Sequence, residues 1–315
     1  MGKLKVLTKK SKNQNSQKRV DLIFCLLILL IPTIQFFVFY IGVHFNSLML
    51  AIQDYDVETG KYFFVGFDNI ANVFKDFATE EVMIKGLRNS LLFYLVNLLV
   101  GTTLAVLFSY VIFKKIPMYG ALRVMLFFPS IISPIVLVLL FRNFVGTTLP
   151  YIIQSITGAE EAPLGLLSNP DTQFGTLMFF TIWVSFGSPV LLYSGAMSGI
   201  NESVIEAAKI DGVNSVQELT KIVLPLIYPT FVTFITAGVA GILSHQMSLY
   251  SFFGTRQISY DMYTVGYYLF RQTALISGNA GYPPVAALGI VLSIFTIPVA
   301  LTVRWLLNKF GPSVE

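Results

Sequence analysis

The chain has 315 residues, of which 55% are apolar, 14% aromatic and only 12% charged, about half the charged share of an ordinary soluble domain. That composition excludes a water-soluble globular protein and points to an all-α integral membrane protein. The formal net charge of +4 is what one basic face produces and gives no reason to invoke nucleic acid. A single cysteine, Cys25, and two distant histidines, His44 and His245, build neither a disulfide framework nor a metal site.

Residues 1–20 form a basic leader whose only evident role is orientation, with some attraction to anionic lipid. The run at 22–45 is too long for a signal peptide and lacks a small-residue cleavage site, so it reads as a first span of a membrane domain covering 21–315. Next, residues 68–77 place Ile70, Val73, Phe74 and Phe77 on one side and predict an interfacial helix. Runs of the ~20 residues needed to cross a bilayer recur at 87–113, 121–144, 173–197, 226–250 and 285–307, which makes six spans. Pro32, Pro129 and Pro134 read as tolerated kinks. Residues 256–284 are too polar to span, and Tyr260, Tyr263, Tyr267 and Tyr268 there read as an aromatic belt at the outer interface.

Orientation follows from Lys and Arg. An even number of spans puts both termini on one side. That side collects Lys3, Lys5, Lys9, Lys10, Lys12, Lys18, Arg19, Lys114, Lys115, Arg123, Lys209, Lys221, Arg304 and Lys309, fourteen of twenty-one basic residues. Both termini and the polar loop at 198–225 are therefore expected in the cytoplasm. The 46–86 loop, with seven acids, is expected outside.

The 198–225 loop is rich in local signals. Asn201 is a natural N-cap, 203–210 a two-turn helix, and Asp211-Gly212 its stop. Ser215-Val216-Gln217-Glu218 has the form of a capping box, opening a second short helix through Val223 that Pro225 closes. Ala207 and Ala208 keep one face narrow, Val204, Ile205 and Ile210 supply apolar contact, and Glu206 can hydrogen-bond, which suits a partner groove.

Glu206-Ala207-Ala208-Lys209-Ile210-Asp211-Gly212, followed by Ile222-Val223-Leu224-Pro225, resembles the E-A-A-x-x-D-G…I-x-L-P loop that permease subunits of binding-protein-dependent ABC importers present to their ATPase. Arg88-Asn89-Ser90, Gly101, Arg123 and Phe128-Pro129 extend the resemblance toward the carbohydrate-uptake branch. It implies a type I importer permease fold, six spans and a coupling role for Glu206, Ala207, Ala208, Asp211, Gly212, Leu224 and Pro225. It also implies a prokaryotic cytoplasmic membrane, a second non-identical permease, an ATP-binding subunit dimer and an extracytoplasmic solute-binding protein. No G-x-x-x-x-G-K-[ST] loop occurs, so ATP would be bound by the partner and this chain would be non-catalytic, with no cofactor of its own.

In that family the fourth and fifth spans line the solute path. Here they offer Thr181, Trp183, Ser185 and Ser188, the hydroxyls at i, i+4 and i+7, and then Ser244-His245-Gln246, a polar break in apolar surroundings. Ser and Thr on a helix face also serve as glue between spans. An amino acid, peptide or anion permease of the same class is the alternative reading. A secondary transporter would want intramembrane carboxylates, and the six runs contain no Asp or Glu. An intramembrane enzyme would want a Cys-His, Ser-Lys or H-E-x-x-H set, and none is present there.

Overall fold

The computed structural model describes residues 20–312, so the leader, but for Val20, lies outside the described residues. Helix α1 (Val20–Ala51) is followed by an antiparallel hairpin of β1 (Gln53–Asp56) and β2 (Lys61–Phe64), paired in the register Gln53 to Phe64. This hairpin is the one departure from an all-helical reading among the described residues. Its turn is closed by Asp56, whose carboxylate accepts from Thr59 Oγ1 at 2.7 Å and the Glu58 amide at 2.9 Å. Helix α2 (Asp68–Thr79) is the helix expected at 68–77, extended by two residues, with Val73 buried and Asn69 donating to Gln53 O at 2.8 Å.

Helix α3 (Glu81–Phe113) runs as one span and widens over Asn97–Thr102 into i→i+5 hydrogen bonding. The third expected span is not one helix. Residues 121–144 divide into α4 (Tyr119–Ile131) and the start of α5 (Pro134–Thr157), because Pro134 forces Ser133 out of the helical region (φ −53°, ψ 127°) and then opens α5 at its first position. Pro129, by contrast, is accommodated inside α4.

The fourth span is a pair, α6 (Pro170–Ser185) and α7 (Gly187–Ser198), bent by 41° at Phe186. The loop helix α8 (Glu202–Ile210) leads to α9 (Ser215–Leu226), which meets α10 (Tyr228–Gly241) at 72°. Pro225 does not close α9 but lies within it. The break falls at Ile227, since Pro229 has no N–H to bond the Pro225 carbonyl and continue the ladder. Beyond Gly241 the chain leaves the helix, passes Met247 and Ser248 at positive φ, and resumes as α11 (Leu249–Phe253), α12 (Val265–Ala274) and α13 (Tyr282–Phe310). Among the described residues, four helices are long and apolar enough to cross a membrane uninterrupted, six with each bent pair taken as one span.

Of the four tyrosines expected at a surface belt, Tyr260 is exposed and Tyr268 half-buried, but the other two are not at the surface. Tyr263 and Tyr267 are fully buried against Phe180, Met247 and Leu249, and the Tyr267 hydroxyl donates to Gly254 O and Arg256 O at 3.0 and 3.2 Å. Asn89 and Ser90 of α3 hold this region in place: the Asn89 carboxamide donates to Asp261 O and Tyr263 O, both at 2.8 Å, and Ser90 Oγ accepts from the Val265 amide. At the opposite end, α3, α7, α8 and α9 share one apolar core of Val106, Tyr110, Val190, Tyr193, Met197, Ile205, Leu219 and Val223.

Candidate functional site

The loop between α7 and α10 folds as helix, tight turn, helix. Asn201 Oδ1 accepts from the Ser203 amide at 3.1 Å, capping α8. At its far end Gly212 N donates to Lys209 O and Val213 N to Ala208 O, both at 3.1 Å, with Gly212 at φ +75°, the paired bonds of a Schellman stop. The following cap sits one residue earlier than the sequence pattern suggests. Asn214 and Gln217, not Ser215 and Glu218, exchange the two capping hydrogen bonds at 2.9 and 3.2 Å.

Glu218 is thereby released for a different use. Its carboxylate is buried and accepts from Lys114 Nζ at 2.8 and 2.9 Å, with the Tyr110 hydroxyl 3.0 Å away. The α8 faces are also divided differently from the expectation. Ile205 and Ala208 turn inward and seat the helix on the bundle, while Val204, Glu206, Ala207 and Ile210 are exposed, Ile210 at 87%. Asp211 and Gly212 are exposed at the turn, and Leu224 and Pro225 line an apolar cavity of about 530 Å³ together with Val106, Leu219 and Phe231.

A second cavity, of about 290 Å³, lies between α3, the α6–α7 pair and α10. It brings Ser185 and His245 together with Tyr94, Asn97, Thr102 and Tyr193, and none of its lining side chains carries a formal charge. His245 stacks on Phe93 at 4.7 Å, and its Nδ1 accepts from the Met247 amide at 3.1 Å, which leaves the ring N–H on Nε2. The Tyr193 hydroxyl is buried without a partner among the described residues.

The remaining sequence-selected residues lie elsewhere. Thr181 is buried and donates to Leu177 O and Met247 O, tying α6 to the turn after α10. Because α6 bends at Phe186, the periodic face drawn from Thr181 through Ser188 does not continue past Ser185, and Ser188 is exposed away from the cavity lining. Trp183 joins an aromatic group with Phe141 and Phe180 at 6.4 and 6.2 Å. Ser244 donates to Gly241 O and borders another cavity, toward α13, while the buried Gln246 Oε1 has no partner among the described residues. Asn97, Thr102 and Tyr193 escaped the sequence reading; the signal for the first was an asparagine within the apolar run from Leu91 to Gly101.

A bundle of membrane-length apolar helices, two of them bent pairs, is that of an integral membrane protein. Residues 97–314 match the binding-protein-dependent transport system inner membrane component family, and the chain belongs to it. Among curated relatives, it is 24% identical over 215 residues to the multiple sugar-binding transport system permease protein MsmF of Streptococcus mutans, covering 68% of this chain and 72% of that one. It is 24% identical over 257 residues to the lactose transport system permease protein LacF of Rhizobium radiobacter, covering 79% and 83%. Among solved structures, a chain of a bacterial ABC transporter involved in import of the acidic polysaccharide alginate shares the fold at a TM-score of 0.75 and 21% identity, over 93% of this chain and 98% of that one.

Proposed function

We propose that this chain is one permease half of an ABC importer for a carbohydrate, and that the loop from Glu206 to Pro225 couples it to a separate ATPase. The observation that carries the reading is the exposed ridge of Val204, Ala207 and Ile210 beside Glu206, on a helix fixed at both ends and seated by Ile205 and Ala208. Apolar side chains three apart with an adjacent carboxylate suit docking in a groove. Closure of two ATP-bound subunits then rocks the permease halves as rigid bodies. One loop serves one ATPase, so the motor dimer requires a second permease, and the resemblance to the first rather than the second sugar permease supports a non-identical one. The segment from Arg256 to Pro284 and the 46–86 loop lie outside, where the former can meet an extracytoplasmic solute-binding protein, and both termini lie in the cytoplasm.

The carbohydrate assignment is supported by the sugar permeases among the relatives and by the chemistry of the smaller cavity. Carboxamide, hydroxyl and imidazole groups set among Phe93, Tyr94 and Tyr193 are what a polyhydroxylated solute needs: aromatic faces and a few directed hydrogen bonds. Two measurements test the proposal. Screening the cognate solute-binding protein against glycans, amino acids, peptides and inorganic anions should return a glycan; a protein binding only the other classes overturns the substrate. In intact cells, a cysteine introduced at Ser215 should resist an impermeant thiol reagent; its labelling overturns the orientation.

A further inference from the structure

We infer that Lys114, Glu218 and Tyr110 form the joint that fastens the coupling loop to the second span, so that displacement of the loop carries α3 with it. The inference rests on the coupling reading of the loop and assigns a positioning role to three residues outside the loop's docking surface. Glu218 lies in α9 and is 2% exposed. Lys114 is the residue immediately after α3, 104 positions earlier in the chain, and its ammonium contacts both carboxylate oxygens at 2.8 and 2.9 Å. Tyr110, one turn before the end of α3, has its hydroxyl 3.0 Å from Glu218 Oε1 and 3.1 Å from Ser215 O. A single O–H donates to one of these at a time, so the phenol links α3 both to the side chain that anchors α9 and to the residue that opens it.

Three features make this more than a stabilising contact. Two ions and a phenol set distance and direction together, whereas the apolar packing around them permits sliding. The partner residues sit at the mechanical ends of their elements: Lys114 at the end of the second span, Glu218 at the point where α9 widens and turns toward its 72° bend. Finally, α3 is fastened in turn to the fourth span, where Ser109 Oγ donates to Val190 O at 3.0 Å, so a pull on Glu218 reaches both walls of the smaller cavity.

The test uses the full complex in nanodiscs, with Cys25 replaced by serine and spin labels at Leu91 and Ile297, both exposed positions on α3 and α13. ATP with vanadate is the probe. The main variant is Lys114→Met/Glu218→Met, which leaves no unpaired buried charge and is therefore expected to assemble; Lys114→Arg, which keeps a bidentate partner, is the conservative control. ATPase retention on the permease reports docking, and the vanadate-induced change in label distance reports movement of α3. The joint predicts normal retention in the double variant, a distance change reduced roughly fivefold or more, and a restored change with Lys114→Arg. Normal retention with a wild-type distance change in the double variant overturns the joint and leaves the coupling loop intact. If the double variant fails to assemble, Tyr110→Phe, which removes the phenol link alone, decides: an undiminished change overturns the joint. Loss of the loop's role shows separately, as undiminished ATPase retention in Glu206→Lys, and overturns both.

Discussion

Gly212 is the position at which the loop's backbone can be tested apart from its side chains. Its φ of +75° lies in the left-handed region, and a Cβ built there meets no atom within 4 Å, so a substitution acts through backbone strain and not through a clash. Alanine in that region costs roughly 1–2 kcal/mol, which multiplies the fraction of loops without the native turn by about 5- to 30-fold. Asparagine, which visits the region more readily, costs less. Proline fixes φ near −65° and removes the Gly212 N–H that bonds Lys209 O, so the turn cannot form and the penalty is ~3 kcal/mol or more. The affinity of the ATPase for the membrane complex, measured by titration, should therefore fall in the order Gly, Asn, Ala, Pro, with uptake falling in parallel and membrane abundance nearly constant. Equal affinity for Gly212→Ala and Gly212→Pro would refute a requirement for the left-handed turn. Asparagine weaker than alanine would refute the backbone origin, because only a side-chain effect can produce that order.

Three further outcomes follow from other parts of the structure. Gly266→Ala drives a Cβ into the Ser244 and His245 backbone, where the His245 carbonyl carbon would lie 2.7 Å away; overpacking against main chain costs about 1–3 kcal/mol, so a lowered melting temperature with a displaced His245 is expected, and an unchanged melting temperature counts against the close approach. Ser185→Trp should block uptake by filling the smaller cavity while the complex still assembles, whereas Phe179→Trp, at a position 61% exposed, should leave uptake intact; normal uptake with Trp at 185 removes that cavity from the pathway. The Lys85 ammonium, 2.8 Å from Asp261, holds that carboxyl below its ordinary range, so the pairing stabilises the fold fully above the unfolded carboxyl pKa of about 4 and loses its contribution as pH falls through the lower folded value. Hydrogen exchange in residues 259–263, corrected for intrinsic rates, should accordingly show protection that is flat from pH 7 to about 4 and falls below it in wild type but not in Lys85→Met; identical profiles would refute the linkage.

The parts of the fold legible in the sequence are those governed by neighbours in the chain. Asn201, Asp211 and Gly212 bracket α8 because capping and left-handed stops are decided within a few residues, and the Asp68 helix is legible from the one-sided spacing of Ile70, Val73, Phe74 and Phe77. Apolar runs indicated the spans but not their breaks, nor the place of the third, where the membrane-length helix is Pro134–Thr157. Pro134 interrupts the third span while Pro129 does not, although either ring disfavours the helical region for the residue before it, so residue type alone does not separate the two. The hydroxyl face drawn from Thr181 to Ser188 assumed a continuous helix. A 3.6-residue period transmits direction only as far as the axis stays straight, and the bend at Phe186 ended it.

Burial of the aromatic residues was illegible for a related reason. Tyr263 and Tyr267 look alike in composition to interfacial tyrosines, and contacts from more than 170 positions earlier, the two hydrogen bonds from Asn89 and the one to Ser90, hold their segment inward. Glu218 makes the same point at the site itself. Within its own loop it reads as the third residue of a capping box, a role that Gln217 takes instead; what fixes Glu218 is an ammonium at the end of a different span. A charge that the local pattern can explain as a cap, yet that the fold buries at 2% exposure, has been taken out of water at a cost that only Lys114 and Tyr110 offset. The region where the spans meet the loop is therefore specified by long-range pairing: the exposed side chains of Val204, Ala207 and Ile210 are free of it, while the buried carboxylate beneath them is set by residues elsewhere in the chain.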